Sequence, residues 1–245
     1  MINKVYWGDL HIHSALSPCA DQTMTPQTIL EKAKQQRLSV IALTDHNSVE
    51  NCEIIMTLAP PDILIIPGME LQTKEEIHIV CLFETIDAAR HWQEYVDKFL
   101  PKIPNRQNYF GNQSLFDGPE HISGEKSNLL LVSTELAFDD VFWEIKRFNG
   151  TAIPAHIDRP SYSVLSVLGF MPTSYSHRTM ELSHHCDINL FRHKNPDLTH
   201  TVFLKNSDAH RPEEIGQSKT GFVLPELSWK ELTSAFIDPT RIIYN

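Results

Sequence analysis

Val5-Tyr6-Trp7-Gly8-Asp9-Leu10-His11-Ile12-His13 decides how this chain is read. Its first residues are branched and aromatic, as a buried strand requires, and its last ones deliver two imidazoles at that strand's carboxyl end. Residues two apart on a strand point to one side, so both rings can reach one or two neighbouring ions. The pattern recurs. The apolar run 40–43 leads to Asp45 and His46, 63–66 to Pro67-Gly68-Met69-Glu70, 151–154 to His156, and 201–204 to Asp208 and His210, while His78 lies inside the run 77–83. Histidines and carboxylates at the carboxyl ends of successive strands occupy the face where barrel enzymes keep their active sites.

Helical patterns separate several of these runs and a further one at 179–182. Thr25-Pro26 is a cap followed by proline at the first helical position, and Ile29, Leu30 and Ala33 recur at helical spacing. Ser228-Trp229-Lys230-Glu231 matches the capping box. Asn149-Gly150 is expected to end a helix over 138–148 by taking the left-handed conformation. Strand and helix alternating in this way predict an α/β fold with a largely parallel sheet, closed or nearly closed into a barrel. The segment 101–128 breaks the rhythm: rich in Pro, Gly, Asn and Gln, it reads as a loop-rich insertion near the mouth of the site or as a surface excursion, with Tyr109, Phe110 and Phe116 available for packing.

At 245 residues the chain fits one large domain with a sizeable core. A net charge of −10 and the absence of a Lys/Arg run argue against a broad nucleic-acid surface, although metal ions could supply positive charge locally for a small anion. Cys19, Cys52, Cys81 and Cys186 show no C-x-x-C spacing, and no signal-like segment opens the chain, so free thiols in the cytoplasm are expected. The apolar stretch 63–66 is far shorter than the roughly 20 residues that cross a bilayer.

A lone H-x-H is weak evidence for metal. Six of the 13 histidines gathered with Glu70 and Asp208 are another matter, since buried imidazoles and carboxylates are costly unless paired or metal-bound. Mixed histidine and carboxylate without a thiolate pair suits Zn, Mn or Fe, and the number of ligands implies several ions.

In order and spacing, DLHIHS (9–14), TDH (44–46), PGME (67–70), the later His78, PAH (154–156) and SDAH (207–210) resemble the motifs of the polymerase and histidinol phosphatase (PHP) superfamily. The resemblance spans nearly the whole chain. It implies a distorted (β/α)7 barrel forming one domain over 1–245, up to three divalent ions (Mn, Zn or Fe), and phosphoester hydrolysis. It also implies His11, His13, His46, Glu70, His78, His156, Asp208 and His210 as ligands, with Glu70 bridging two ions. A ninth ligand is expected from the loop Ser17-Pro18-Cys19-Ala20-Asp21; Asp21 is the choice and Cys19 its rival. Asp9 and Asp45 read as residues that orient ligands rather than bind metal.

The expected chemistry is attack by a metal-activated hydroxide, with Glu70 and Asp208 in the catalytic centre and Arg159 as a phosphate clamp. His184 and His185 end another strand and could line the pocket, though a structural role is favoured; His91, His121, His177, His193 and His200 are given none. The expected partner is a small phosphorylated metabolite or nucleotide, with no stable nucleic-acid complex and no membrane; oligomeric state is not legible. Two other readings remain: hydrolysis of a non-phosphate ester or amide by the same water, and a metal-binding accessory module without turnover.

Overall fold

In the computed structural model, which describes residues 2–173, 175 and 179–244, the opening stretch forms strand β1 (Lys4–Ile12) at the middle of a seven-stranded sheet. The other strands are β2 (Val40–Leu43), β3 (Leu64–Gln72), β4 (His78–Phe83), β5 (Ser114–Phe116), β6 (Ile122–Glu125), β7 (Gly150–Pro154), β8 (Thr179–Leu182), β9 (Val202–Lys205), β10 (Thr220–Leu224) and β11 (Ile242–Tyr244). The sheet order is β11-β10-β1-β2-β3-β4-β7, with β8 and β9 as a separate parallel pair and β5-β6 as an antiparallel hairpin.

The expectation of a largely parallel sheet is corrected. Only β1-β2 and β2-β3 are parallel within the large sheet; β3-β4, β4-β7, β1-β10 and β10-β11 are antiparallel. Between β3 and β4 the chain reverses in a tight turn, with the Thr73 amide donating to Ile77 O at 2.9 Å and Glu76 at φ 64°. A turn that short can only make a hairpin, because a parallel return needs a crossover of a dozen residues or more. The β8-β9 pair meets the curled sheet through scattered bonds rather than a ladder, among them Ile157 N to Glu181 O at 2.9 Å, Leu10 N to Asn206 Oδ1 at 2.8 Å and Lys205 N to Thr220 Oγ1 at 2.8 Å. The architecture is therefore a mixed α/β fold with a half-barrel sheet, coarser than the (β/α)7 expectation.

Alternation along β2 separates two apolar clusters. Val40 and Ala42 join Leu10, Leu82, Ile153 and Leu204, closed off by Leu232 and Phe236 beneath; Ile41 and Leu43 join the helix-covered outer layer with Ile29 and Ile55. The helices are α1 (Pro26–Gln35), α2 (Cys52–Leu58), α3 (Ile86–Val96), α4 (Gln107–Phe110), α5 (Phe138–Glu144), α6 (Val164–Leu168), α7 (Ile188–Lys194) and α8 (Trp229–Ala235). Thr25 caps α1 by accepting from Thr28 N, with Pro26 at the first position. The expected 138–148 helix gives way at Ile145 to a 3-10 turn, and it is Asn149, at φ 55°, that takes the left-handed conformation. Gly150 serves close approach instead, since a Cβ there would strike the Phe83 ring. Ser228 caps α8, but the capping box is only half made because the Glu231 carboxylate is held by Arg241. Among the described residues no helix is long and apolar enough to cross a membrane.

Segment 101–128 is built rather than loose. It contains α4 and the β5-β6 hairpin, the Gln113 side chain ties Lys126 O, Asn128 O and Leu130 N together, and Ser114 N donates to Ala15 O at 2.9 Å.

Candidate metal centre

A bulge in β1 aims the first two histidines. Pairing with β2 runs Gly8-Val40 and Asp9-Ile41 and resumes at Ile12-Leu43, so two residues of β1 stand against one of β2. Leu10 belongs to the inner apolar cluster and Ile12 to the outer one. Strict alternation would have put both on one face and the two histidines on the other; the extra residue inverts the phase, and His11 and His13 face the centre.

Hydrogen bonds decide which nitrogens they present. His11 Nδ1 lies 3.0 Å from Glu181 Oε2, a carboxylate that can only accept, so His11 Nε2 is the nitrogen left for the centre. Ser17 Oγ gives its proton to Asp45 Oδ1 at 2.7 Å and must therefore accept from His13 Nδ1 at 2.9 Å. Asp45 also accepts from Ser14 N and Ser14 Oγ at 2.7 Å each. The two Nε2 atoms then stand 3.2 Å apart, each left to take a metal ion or, without one, a proton shared with the neighbouring carboxylates. His210 Nδ1 donates to Asp208 O at 2.9 Å and leaves its Nε2 free in the same way.

Glu70 sits among them, fully buried. Its Oε1 is 2.9 Å from His78 Nδ1 and 3.2 Å from both His11 Nε2 and His156 Nε2; its Oε2 is 3.0 Å from His46 Nδ1 and 3.3 Å from His13 Nε2. Each oxygen thus faces a different set of rings, an arrangement that fits a carboxylate shared by two ions. Asp208 Oδ1 lies 3.1 Å from His13 Nε2 and 3.2 Å from His11 Nε2, and its Oδ2 takes Arg159 Nη1 at 2.6 Å. Asn47, His156 and Asp208 hold positive φ values of 48°, 29° and 53°, a conformation non-glycine residues rarely accept. Asp9 anchors the Asp208 loop, accepting from Ser207 N at 3.0 Å and Gly216 N at 2.9 Å.

Three overlapping groups have ligand atoms within 4.8 Å of one another: His13, His46 and His210; His11, His13, Glu70 and Asp208; His46, Glu70 and His78. The donor set fits divalent metal on an independent count as well. His46 Nδ1, Glu70 Oε2, His78 Nε2 and His156 Nδ1 are buried without a hydrogen-bond partner, although His46 Nδ1 and Glu70 Oε2 are within ion-pair distance of each other. Without metal, protons do the neutralising. Burial opposes charge on His13, yet Asp208 and Glu70 raise it to about 9, and Glu181, Asp208 and Glu70 likewise hold His11 well above its usual value despite burial. Burial lowers His46 to about 4 and, with His13 beside it, His210 to about 3. The surrounding histidines outweigh burial at Glu70 and Asp208 and keep both well below the usual carboxylate range.

The cavity over this centre, about 440 Å³, is lined by Cys19, Gln72, Phe110, Arg159, Tyr162 and several of the ligand residues. Asp21 is not brought there. Its carboxylate is solvent-exposed and closes a local turn with Thr23 N at 2.8 Å and Thr23 Oγ1 at 2.7 Å, so it is not gathered with the other candidate ligands. Cys19 stands nearer, on the cavity wall. The His184 and His185 rings touch each other at a tilt of 44° outside the candidate ligand groups, and His177 lies outside the described residues. Sequence reading missed Glu181 as the partner of His11 and Ser17 as the link from Asp45 to His13. A lone acid within the apolar run 179–182 was the available signal for the first.

Residues 9–193 match the family model of the PHP domain, and 203–238 that of the PHP-associated segment. The chain belongs to the PHP-domain family. No curated protein matches it in sequence. Its fold is similar to that of the lesion-specific endonuclease Q of Pyrococcus furiosus, with TM-score 0.73 and 20% identity over 98% of this chain and 58% of that one. A complex of endonuclease Q with a 27-mer duplex substrate, its abasic lesion at the active site, gives TM-score 0.70 and 20% identity over 95% and 56%. A two-domain Bacteroides vulgatus protein containing a predicted PHP-like metal-dependent phosphoesterase gives TM-score 0.60 and 15% identity over 99% and 65%. This chain therefore spans less than two thirds of each of these structures.

The expectation of a small phosphorylated partner and no nucleic-acid complex is corrected by that likeness, because the same fold holds a DNA duplex at the active site of endonuclease Q. The net charge of −10 was the wrong quantity to weigh. Affinity for a phosphate backbone follows the phosphates neutralised locally, which a chain's overall charge does not report.

Proposed function

We propose that this chain hydrolyses phosphodiester bonds of a nucleic-acid strand with two or three divalent ions, Mn, Zn or Fe, held by His11, His13, His46, Glu70, His78, His156, Asp208 and His210. The observation that carries the reading is the pair of Nε2 atoms of His11 and His13, 3.2 Å apart and set between the carboxylates of Glu70 and Asp208. When bound, such ions supply a water acidic enough to attack at neutral pH and neutralise charge on the phosphoryl oxygens.

The chain's own residues do the rest. Glu181 and the Asp45-Ser17 pair hold two imidazoles in the tautomer that presents Nε2 inward. Arg159, half-exposed at the cavity and paired with Asp208, has a second nitrogen with which to take a phosphate oxygen, and its fork favours phosphate over an uncharged amide. Segment 101–128 contributes Phe110 to the cavity wall, as an insertion at the mouth would.

The test is metal analysis of chelator-free protein, followed by Mn-supplemented assays on 27-mer duplexes with and without an abasic position, on single strands, and on simple amides. Strand cleavage that chelator abolishes is expected. Cleavage of an amide with no phosphodiester cut would overturn the reading.

A further inference from the structure

Two aromatic side chains on the cavity wall have no part in holding metal. Tyr162 is 46% exposed and Phe110 41% exposed, and they come from unrelated segments, the loop between β7 and α6 and the end of α4. Exposed apolar side chains scattered singly are ordinary, whereas two rings from separate segments meeting at one cleft form a candidate contact surface.

Tyr162 is held in place with unusual care for an exposed residue. Its ring stacks on the His78 ring at 4.7 Å between centroids and 22° between planes. Its carbonyl accepts from His78 N at 2.9 Å, and its backbone takes the left-handed conformation, φ 56°, against the preference of a residue with a Cβ. Ser163 secures the loop on the other side, donating from Oγ to Arg159 O at 2.7 Å while capping α6. Phe110 is fixed by Gly111, at φ 98°, which packs so closely on Pro18 that a Cβ would collide with the Pro18 carbonyl. One face of the Tyr162 ring is therefore covered by a candidate ligand histidine, and the side chain remains open to the cavity that also holds Arg159.

The geometry points to Tyr162, with Phe110, as a stacking wall for the nucleobase next to the scissile phosphate, an inference that rests on the phosphodiesterase reading above. A phosphate at Arg159 and the ions leaves its attached nucleoside within the same cavity, and a planar base has a π-face that meets an aromatic ring whatever its hydrogen-bonding edge. The wall would favour any base-bearing strand over a backbone lacking the base, with little discrimination among bases.

Two diesters with one leaving group separate the possibilities: the p-nitrophenyl ester of thymidine 5′-phosphate, and p-nitrophenyl methyl phosphate, which has no base. The ratio of their kcat/KM values is measured on the Mn-loaded full chain for wild type, Tyr162→Ala, Tyr162→Phe and Phe110→Ala, with metal content measured alongside. Wild type is expected to prefer the nucleoside ester. Tyr162→Ala should shrink that preference about 5- to 100-fold, Phe110→Ala by less, and Tyr162→Phe should keep it, with metal content unchanged in all three. An unchanged ratio in Tyr162→Ala overturns the stacking wall alone. So does loss of metal with both esters affected equally, which would make Tyr162 a prop for His78. A wild type that cleaves neither diester overturns the phosphodiesterase reading and this inference with it.

Discussion

Asp45 fixes the tautomer of His13 without touching it. The Ser17 hydroxyl lies between them, committed as donor to Asp45 Oδ1 and hence an acceptor for His13 Nδ1, at 2.7 and 2.9 Å. The same hydroxyl accepts from His46 N at 3.1 Å, so one serine orders two ligand residues. Ser17→Ala should lower metal affinity by roughly 10- to 100-fold, the usual loss when the group behind a ligand histidine is removed. Metal titration followed by calorimetry reads this directly, and equal affinity in the variant would show that the tautomer needs no such support.

Glu181 gives the parallel case on His11, and it separates charge from hydrogen bonding. Glu181→Gln can present an amide oxygen to the His11 Nδ1 proton but removes a buried negative charge. The variant should therefore bind metal more weakly than wild type by about 10-fold, while Glu181→Ala, which leaves the Nδ1 proton unsatisfied, should lose more and melt lower as well.

Arg159 is tied to Asp208 at 2.6 Å. Its removal should weaken substrate capture and leave an acid with less compensation. Arg159→Ala is expected to lower kcat/KM for a phosphodiester about 10- to 100-fold, the range for a lost charge-assisted contact, and Arg159→Lys should recover only part of it because an ammonium cannot fork. Full activity in Arg159→Ala would remove the arginine from the phosphate site.

How much of this was legible follows from how local each signal is. The runs that became β2 and β8 could be read to the residue because branched, apolar stretches flanked by turns leave few alternatives. Seven of the eight candidate ligand side chains follow or end such runs, so position along the chain was enough to single them out; His78 opens β4 instead. β10 escaped because its glycine, Gly221, breaks the apolar pattern, and that glycine is there for a reason no local reading contains: a Cβ would press on Ile243 of the neighbouring strand. Asp21 was chosen because its spacing fits a motif, and spacing could not show that its carboxylate is met two residues away by Thr23. Sheet direction failed for a similar reason, since the turn after β3 settles it and turns are read less securely than runs.

The metal-free protein should be most stable near pH 6.5 and lose stability on both sides. His46 and His210, at about 4 and about 3, stay neutral when folded and take protons more readily when unfolded, so their contribution is present above 6.5 and fades as pH falls toward 4. Glu70 and Asp208, held below their ordinary values, add to the acid-side loss once pH drops under about 4.5 and 3.8. Asp9, raised to about 6 by burial, and Asp45, raised for the same reason, work the other way over that interval, but they are two groups against four. On the alkaline side His13, at about 9, and His11 are held protonated by the acids around them; what they contribute is complete below 6.5 and is lost as pH rises to 9. Metal replaces those protons on the Nε2 atoms, so saturating Mn should abolish the alkaline decline and raise Tm more at pH 8 than at pH 6. Thermal melts across pH 4 to 10, with chelator and with Mn, check both limbs, and a metal-free profile flat from 6.5 to 9 would mean that the two histidines face the acids as neutral rings.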